Sequence, residues 1–132
     1  MINIRILVVF LICTYQAFGA SANDTQGPVL VSFDSREDKQ AKTIIIEAKA
    51  KDDYSGVRSI SVEIRQTTND SNRPYSGFYE LSYSQETQKW SLRMSTKRLS
   101  NFEITGPVEL MDTANNSSKE YVQYKEYKFP IE

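Results

Sequence analysis

The chain has 132 residues, 16 Lys and Arg against 17 Asp and Glu, no histidine, one cysteine and a formal charge of −1. That length leaves room for one domain, and the near-neutral charge argues against a nucleic-acid surface, which needs clustered cations to neutralise phosphates. Without histidine, Ser/His and Cys/His nucleophilic pairs and the usual zinc ligands are excluded.

Residues 1–22 read as a secretory signal peptide: Arg5 supplies a positive start, Ile6 to Cys13 an apolar run of eight, and Ala20-Ser21-Ala22 a small-x-small cleavage site. An uncleaved anchor is disfavoured because a bilayer span needs roughly 20 apolar residues. Lipoprotein processing at Cys13 is disfavoured because Phe10-Leu11-Ile12 offers no small residue before the cysteine. Cleavage after Ala22 leaves residues 23–132 as the domain, with no cysteine and 15 cations against 17 acids, a formal charge of −2. No membrane span is expected after that removal. A small exported domain without disulfides must rely on its hydrophobic core, which is feasible at roughly 110 residues and points to a bacterial product, periplasmic or extracellular.

Period-two alternation then recurs along the chain, and helical periodicity does not. Val29, Val31 and Phe33 form a first run opened by Gly27-Pro28; Ile44, Ile46, Ala48 and Ala50 share one parity in the second, with Ile45 out of phase. Ile60, Val62 and Ile64 alternate with Ser59, Ser61, Glu63 and Arg65 in the third, and the polar stretch Gln66 to Ser76 breaks the pattern. Tyr79, Leu81 and Tyr83, the turn Gln85 to Gln88, and Trp90, Leu92 and Met94 read as a hairpin. Lys97 and Arg98 look like an isolated basic pair on a solvated turn. Phe102, Ile104, Val108 and Leu110 make the sixth run, and Gly106-Pro107 inside it predicts a bulge or kink. In the last run, Glu120 to Phe129, Val122 and Tyr124 lie on one parity and Tyr127 and Phe129 on the other, so a second bulge is expected near Lys125-Glu126.

About seven strands at this spacing predict an all-β antiparallel sandwich, with an up-and-down barrel as the alternative, since alternation does not tell whether a sheet closes. The loop Asp52-Asp53-Tyr54-Ser55-Gly56-Val57, the later Lys89-Trp90-Ser91-Leu92 and the run Val108 to Met111 leading into Asp112-Thr113-Ala114-Asn115-Asn116 occur in an order that resembles bacterial immunoglobulin-like and fibronectin type III-like domains of exported proteins. The resemblance spans roughly residues 27 to 129. It implies a single immunoglobulin-like sandwich with a role in display, adhesion or recognition of proteins or carbohydrates. If the second run is strand B and the sixth strand F, both polar loops lie at one pole, where Asp24 also enters.

Two explanations compete for the acidic residues of those loops. Turn chemistry is the first: Asp and Asn side chains accept from nearby amides, and Gly56 supplies a conformation other residues resist. The second is a calcium site formed by Asp52, Asp53, Asp112 and Asn115 with loop carbonyls, since calcium takes about six to eight oxygens. No other cofactor is expected. Catalysis would be limited to carboxylates, as in a small glycan hydrolase, but one sandwich offers little room for a concave pocket.

Tyrosine-rich stretches offer a recognition surface: Tyr75, Phe78, Tyr79 and Tyr83 around the hairpin, and Tyr121, Tyr124 and Tyr127 near the end. Alternation should send about half of them into the core. Lys125, Glu126 and Lys128 carry charge that discourages strand addition at an edge. The triplets Asn23-Asp24-Thr25, Asn69-Asp70-Ser71 and Asn116-Ser117-Ser118 match the glycosylation pattern but are polar turns in a bacterium. The expected function is therefore a secreted or periplasmic, non-enzymatic binding module that recognises a protein or carbohydrate at the cell surface.

Overall fold

A computed structural model describes residues 26–52 and 55–130. The alternating sequence folds into nine strands, with no helix among the described residues. They are β1 (Val29–Asp38), β2 (Thr43–Lys51), β3 (Val57–Thr68), β4 (Tyr75–Glu80), β5 (Ser82–Ser84), β6 (Lys89–Ser95), β7 (Leu99–Asp112), β8 (Ser117–Tyr121) and β9 (Lys125–Lys128). One antiparallel sheet has the order β1-β2-β6-β5; the other runs β4-β3-β7-β8, with β9 also paired to β7. This is an immunoglobulin-type order, with β1, β2, β6 and β5 in the places of A, B, E and D, and β3, β7 and β8 in those of C, F and G. Strand β4 extends the second sheet beyond β3.

The inner faces are the apolar parities of the sequence except in the first run, where Val29 and Val31 are exposed and a bulge between Leu30 and Ser32 puts Leu30 and Phe33 against the core instead. Ile44, Ile46 and Ala48 of β2 meet Ile60, Val62 and Ile64 of β3 and Phe102, Ile104, Val108 and Leu110 of β7 in one buried cluster, joined by Leu81, Trp90 and Leu99. Each fully buried aliphatic side chain contributes about 1.5–3 kcal/mol. Ile45 points outward by register and is nonetheless 5% exposed. It lies between Arg36 and Arg93 in the ladder, whose long aliphatic stems suit that role.

Nine strands arise where about seven were expected because two predicted runs each divide. The run Tyr79 to Ser84 splits at Leu81, which buries its side chain and donates its N–H to Ile60 O at 2.8 Å as the chain passes from one sheet to the other. Only β5 therefore completes the expected hairpin with β6, through Ser82↔Ser91, Tyr83↔Trp90 and Ser84↔Lys89. The final run divides at Val122–Tyr124 rather than bulging at Lys125-Glu126. The break lies beside the predicted bulge of β7: between Val62↔Val108 and Ile64↔Ile104, three residues of β7 oppose one of β3, and Gly106 takes φ 141°. Few side chains tolerate that backbone. Gly106 O accepts from Val122 N at 3.2 Å, so the same irregularity that bends β7 ends β8.

No backbone ladder joins β1 to β8 or β9 among the described residues, which makes the fold a sandwich rather than a closed barrel. Side chains seal that seam instead. Leu30 N donates to Glu120 Oε2 at 2.6 Å, Ser118 Oγ donates to Pro28 O, and the hydroxyls of Ser35 and Tyr127 lie 2.8 Å apart. Such contacts occupy edge groups that would otherwise be open to another strand. Gly27 permits the close approach: a Cβ there would lie 2.6 Å from the Ser117 carbonyl carbon.

Candidate recognition surface

Both predicted loops lie at one pole. Asp112 pairs with Val57 at the end of the β3–β7 ladder, Thr113 N donates to Gly56 O at 3.0 Å, and Arg58 Nη1 donates to Asn115 Oδ1 at 2.6 Å. The carboxylates of Asp52 and Asp112 serve the turns. Asp52 Oδ2 accepts from Ser55 N at 2.9 Å, Ser55 Oγ at 3.1 Å and Gly56 N at 3.2 Å. Asp112 is buried; its Oδ1 accepts from Ala114 N at 2.9 Å and Asn116 N at 2.8 Å, and its Oδ2 from Asn116 Nδ2 at 3.0 Å. Burial works against its charge, but the Asn116 backbone and side chain, the Ala114 amide and Ser55 together hold its pKa below the ordinary value. Asn115 adopts the left-handed backbone, φ 68°, that asparagine tolerates. Asp53 and Asp24 lie outside the described residues, among which no group of three or more Asp, Glu, His or Cys is placed to hold a metal ion.

The more developed polar arrangement lies on the outer face of the five-stranded sheet. Arg65 and Glu103 are directly paired across β3 and β7, and the guanidinium forks onto the carboxylate, Nε to Oε2 and Nη2 to Oε1, each at 2.8 Å. The Tyr124 hydroxyl donates to Glu103 Oε1 and also lies 2.9 Å from Glu126 Oε2, while Lys128 Nζ is 3.4 Å from Glu126 Oε1. Next along the strand, Thr105 Oγ1 donates to Glu63 Oε1 at 2.8 Å.

The electrostatics follow from those contacts. Arg65's hydrogen bonds lower the Glu103 pKa to about 2, against the opposing effect of burial and with help from Tyr124. Hydrogen bonding to Glu103, then burial, raises the Tyr124 phenol well above its usual range. Glu126 is lowered, first by the Tyr124 hydroxyl. The side chains are thereby held in one arrangement on a rigid sheet, which reduces the ordering cost of binding.

Aromatic side chains flank this network. Phe78 lies opposite Glu63 in the outward register of β4, and Tyr121 lies opposite Pro107 beside the Gly106 bulge. Phe78 is 45%, Tyr124 51% and Tyr121 77% exposed. The other aromatics of the two stretches are used differently. Tyr127 packs edge-on against Phe102, Tyr83 packs on Trp90, and Tyr79 is packed against the core with its hydroxyl accepting from Gln66 Nε2 at 2.9 Å. Tyr75 is exposed at the start of β4. Beyond Tyr121 the same face holds a shallow depression of about 390 Å³, lined in part by Ser59, Ser61, Met111 and the Glu109–Lys119 ion pair.

Sequence reasoning identified the aromatic stretches but not Arg65, Glu103 and Glu126, whose association depends on register between distant strands. It also misjudged Lys97 and Arg98: they are not isolated but share the opposite pole of the sandwich with Lys39, Lys42 and Lys128. No protein-family model matches the chain, and no curated protein or solved structure matches it either.

Proposed function

We propose that this chain is an exported, non-enzymatic recognition module of the bacterial immunoglobulin-like kind, and that it engages a protein or carbohydrate partner through the outer face of the five-stranded sheet. The observation that carries this reading is the exposure of Phe78, Tyr121 and Tyr124 on one face, around an Arg65–Glu103–Tyr124–Glu126 network. Aromatic rings supply apolar contact area at low entropic cost, and tyrosine and arginine are enriched where protein surfaces meet. The serine-lined depression beside them adds hydroxyl groups suited to a sugar's polar edges.

The test is binding of the wild-type chain and a Phe78→Ser, Tyr121→Ser double variant to a glycan array and to cross-linked cell-surface proteins. Both positions are solvent-exposed, so thermal stability should be nearly unchanged. Loss of more than about tenfold in affinity for the same partner supports the reading. Equal binding by the two chains overturns it, and the class of partner retained by the wild type separates protein from glycan.

A further inference from the structure

The pole opposite Asp52 and Asp112 carries a second candidate site, which shares Lys128 with the outer sheet face. The β1–β2 turn, the β3–β4 connection, the β6–β7 turn and the end of β9 surround a cavity of about 370 Å³. Among the described residues, five cations line it, Lys39, Lys42, Lys97, Arg98 and Lys128, with Glu37 as the one lining carboxylate. The described lining is therefore predominantly basic.

Side chains far apart in sequence are brought together here by backbone bonds rather than by mobile tails. Thr96 N donates to Lys42 O at 2.9 Å, Asn69 N to Arg98 O at 2.7 Å, and Phe129 N to Ser100 O at 3.0 Å. Lys42 and Arg98 both occupy the left-handed region, with φ 53° and 67°, where glycine or asparagine is the less strained choice. Both residues nonetheless line the cavity. Lys128 is paired with Glu126 at 3.4 Å, but its side chain is 79% exposed, so the pair is screened by solvent.

Cations gathered around one small cavity repel one another within a Debye length of about 10 Å, and a bound anion relieves that repulsion. We infer that this cleft binds a small ligand bearing a phosphate or sulfate group, its oxyanion held among Lys39, Lys97 and Arg98. Asn69 and Thr96 offer further polar contacts, and Leu99 and Phe129 apolar surface, to the remainder of such a ligand. The volume is within the range of small-molecule sites, about 300–1,000 Å³.

The experiment is a thermal-shift and calorimetric titration with pyrophosphate, sulfate and glucose 6-phosphate, each against sodium chloride at matched ionic strength. It uses the wild type, a Lys39→Gln, Lys97→Gln, Arg98→Gln triple variant, and a Lys49→Gln, Lys51→Gln, Lys89→Gln control with the same loss of charge. The expected result is a saturable rise in melting temperature with at least one oxyanion, weakened at least tenfold in the cleft variant and retained in the control. Should the cleft variant fold poorly, Lys39→Gln and Lys97→Gln as single changes, each expected to weaken binding several-fold, keep the test decisive. Absence of any saturable response beyond chloride overturns the inference, as does equal weakening in cleft and control variants. Sedimentation with phosphatidylglycerol vesicles without a response to soluble oxyanions also overturns it, because the positive pole would then serve a membrane surface.

Discussion

Arg65 grips both carboxylate oxygens of Glu103 at 2.8 Å across the β3–β7 ladder, although 38 residues separate them in the chain. The pair lies on the outer face, yet Glu103 is only 5% exposed, its oxygens bonded by the Arg65 guanidinium and the Tyr124 hydroxyl. A buried carboxylate is tolerated only when its oxygens are satisfied, and three donors satisfy these.

Acid should weaken the fold through this pair. Glu103 has a pKa of about 2 in the folded chain against an ordinary 4.5, so its contribution is present above pH 4.5 and is lost as pH falls towards 2. Asp112 is shifted in the same direction and adds to the acid-labile part. Urea denaturation between pH 6 and pH 2 should show the loss, and Glu103→Gln should flatten it while lowering stability at pH 6. An unchanged pH profile in Glu103→Gln would rule out the pair as its source.

Base should reveal the same network from the other side. The Tyr124 phenol is raised by Glu103, so its contribution is complete below the ordinary tyrosine pKa of about 10 and is lost as pH rises through the folded value. Absorbance titration should show a tyrosine ionisation step above the ordinary tyrosine range. That late step should disappear in Tyr124→Phe and move to lower pH in Glu103→Gln.

Phe102 is fully buried and meets Tyr127 edge-on at 6.4 Å, with 66° between the rings. Phe102→Ala removes its apolar area and the ring contact together, and should cost about 3–5 kcal/mol in equilibrium urea unfolding. A cost below about 1 kcal/mol would mean that the two sheets can close over the gap.

Gly27 has no room for a side chain, its Cβ position being 2.7 Å from Ser117 O. Gly27→Ala should therefore push the first strand from β8 and destabilise by about 1–3 kcal/mol. The Leu30–Glu120 bond should loosen with it, visible as faster hydrogen exchange at Leu30.

Adding calcium, then a chelator, should leave the melting temperature unchanged, because the described oxygens of Asp52 and Asp112 already accept from amides and hydroxyls of their own turns. A saturable rise with calcium would return Asp52, Asp53, Asp112 and Asn115 to the role of metal ligands.

The strand pattern was legible because burial on one face writes a period of two into the sequence: Ile60, Val62 and Ile64 announce β3, and Gly106-Pro107 announces the bulge in β7. The two acidic loops were also placeable, since strands B and F of this topology end at one pole. Less legible were the splits at Leu81 and at Val122–Tyr124. A residue that crosses between sheets keeps the same apolar character as one that stays in line.

What the sequence by itself determined was the inward parities of the central strands and the turns between them, because those depend on neighbours along the chain; in β1 the bulge at Val31 overrode the parity. Tertiary structure alone decided which outward charges meet. Arg65 finds Glu103 only through the β3–β7 register, and Lys97 and Arg98 join Lys39, Lys42 and Lys128 only when three connections and the end of β9 converge. Neither arrangement has a local signature, since a charged side chain at a turn or on an outer face has the same propensity whether its neighbour is water or another charge.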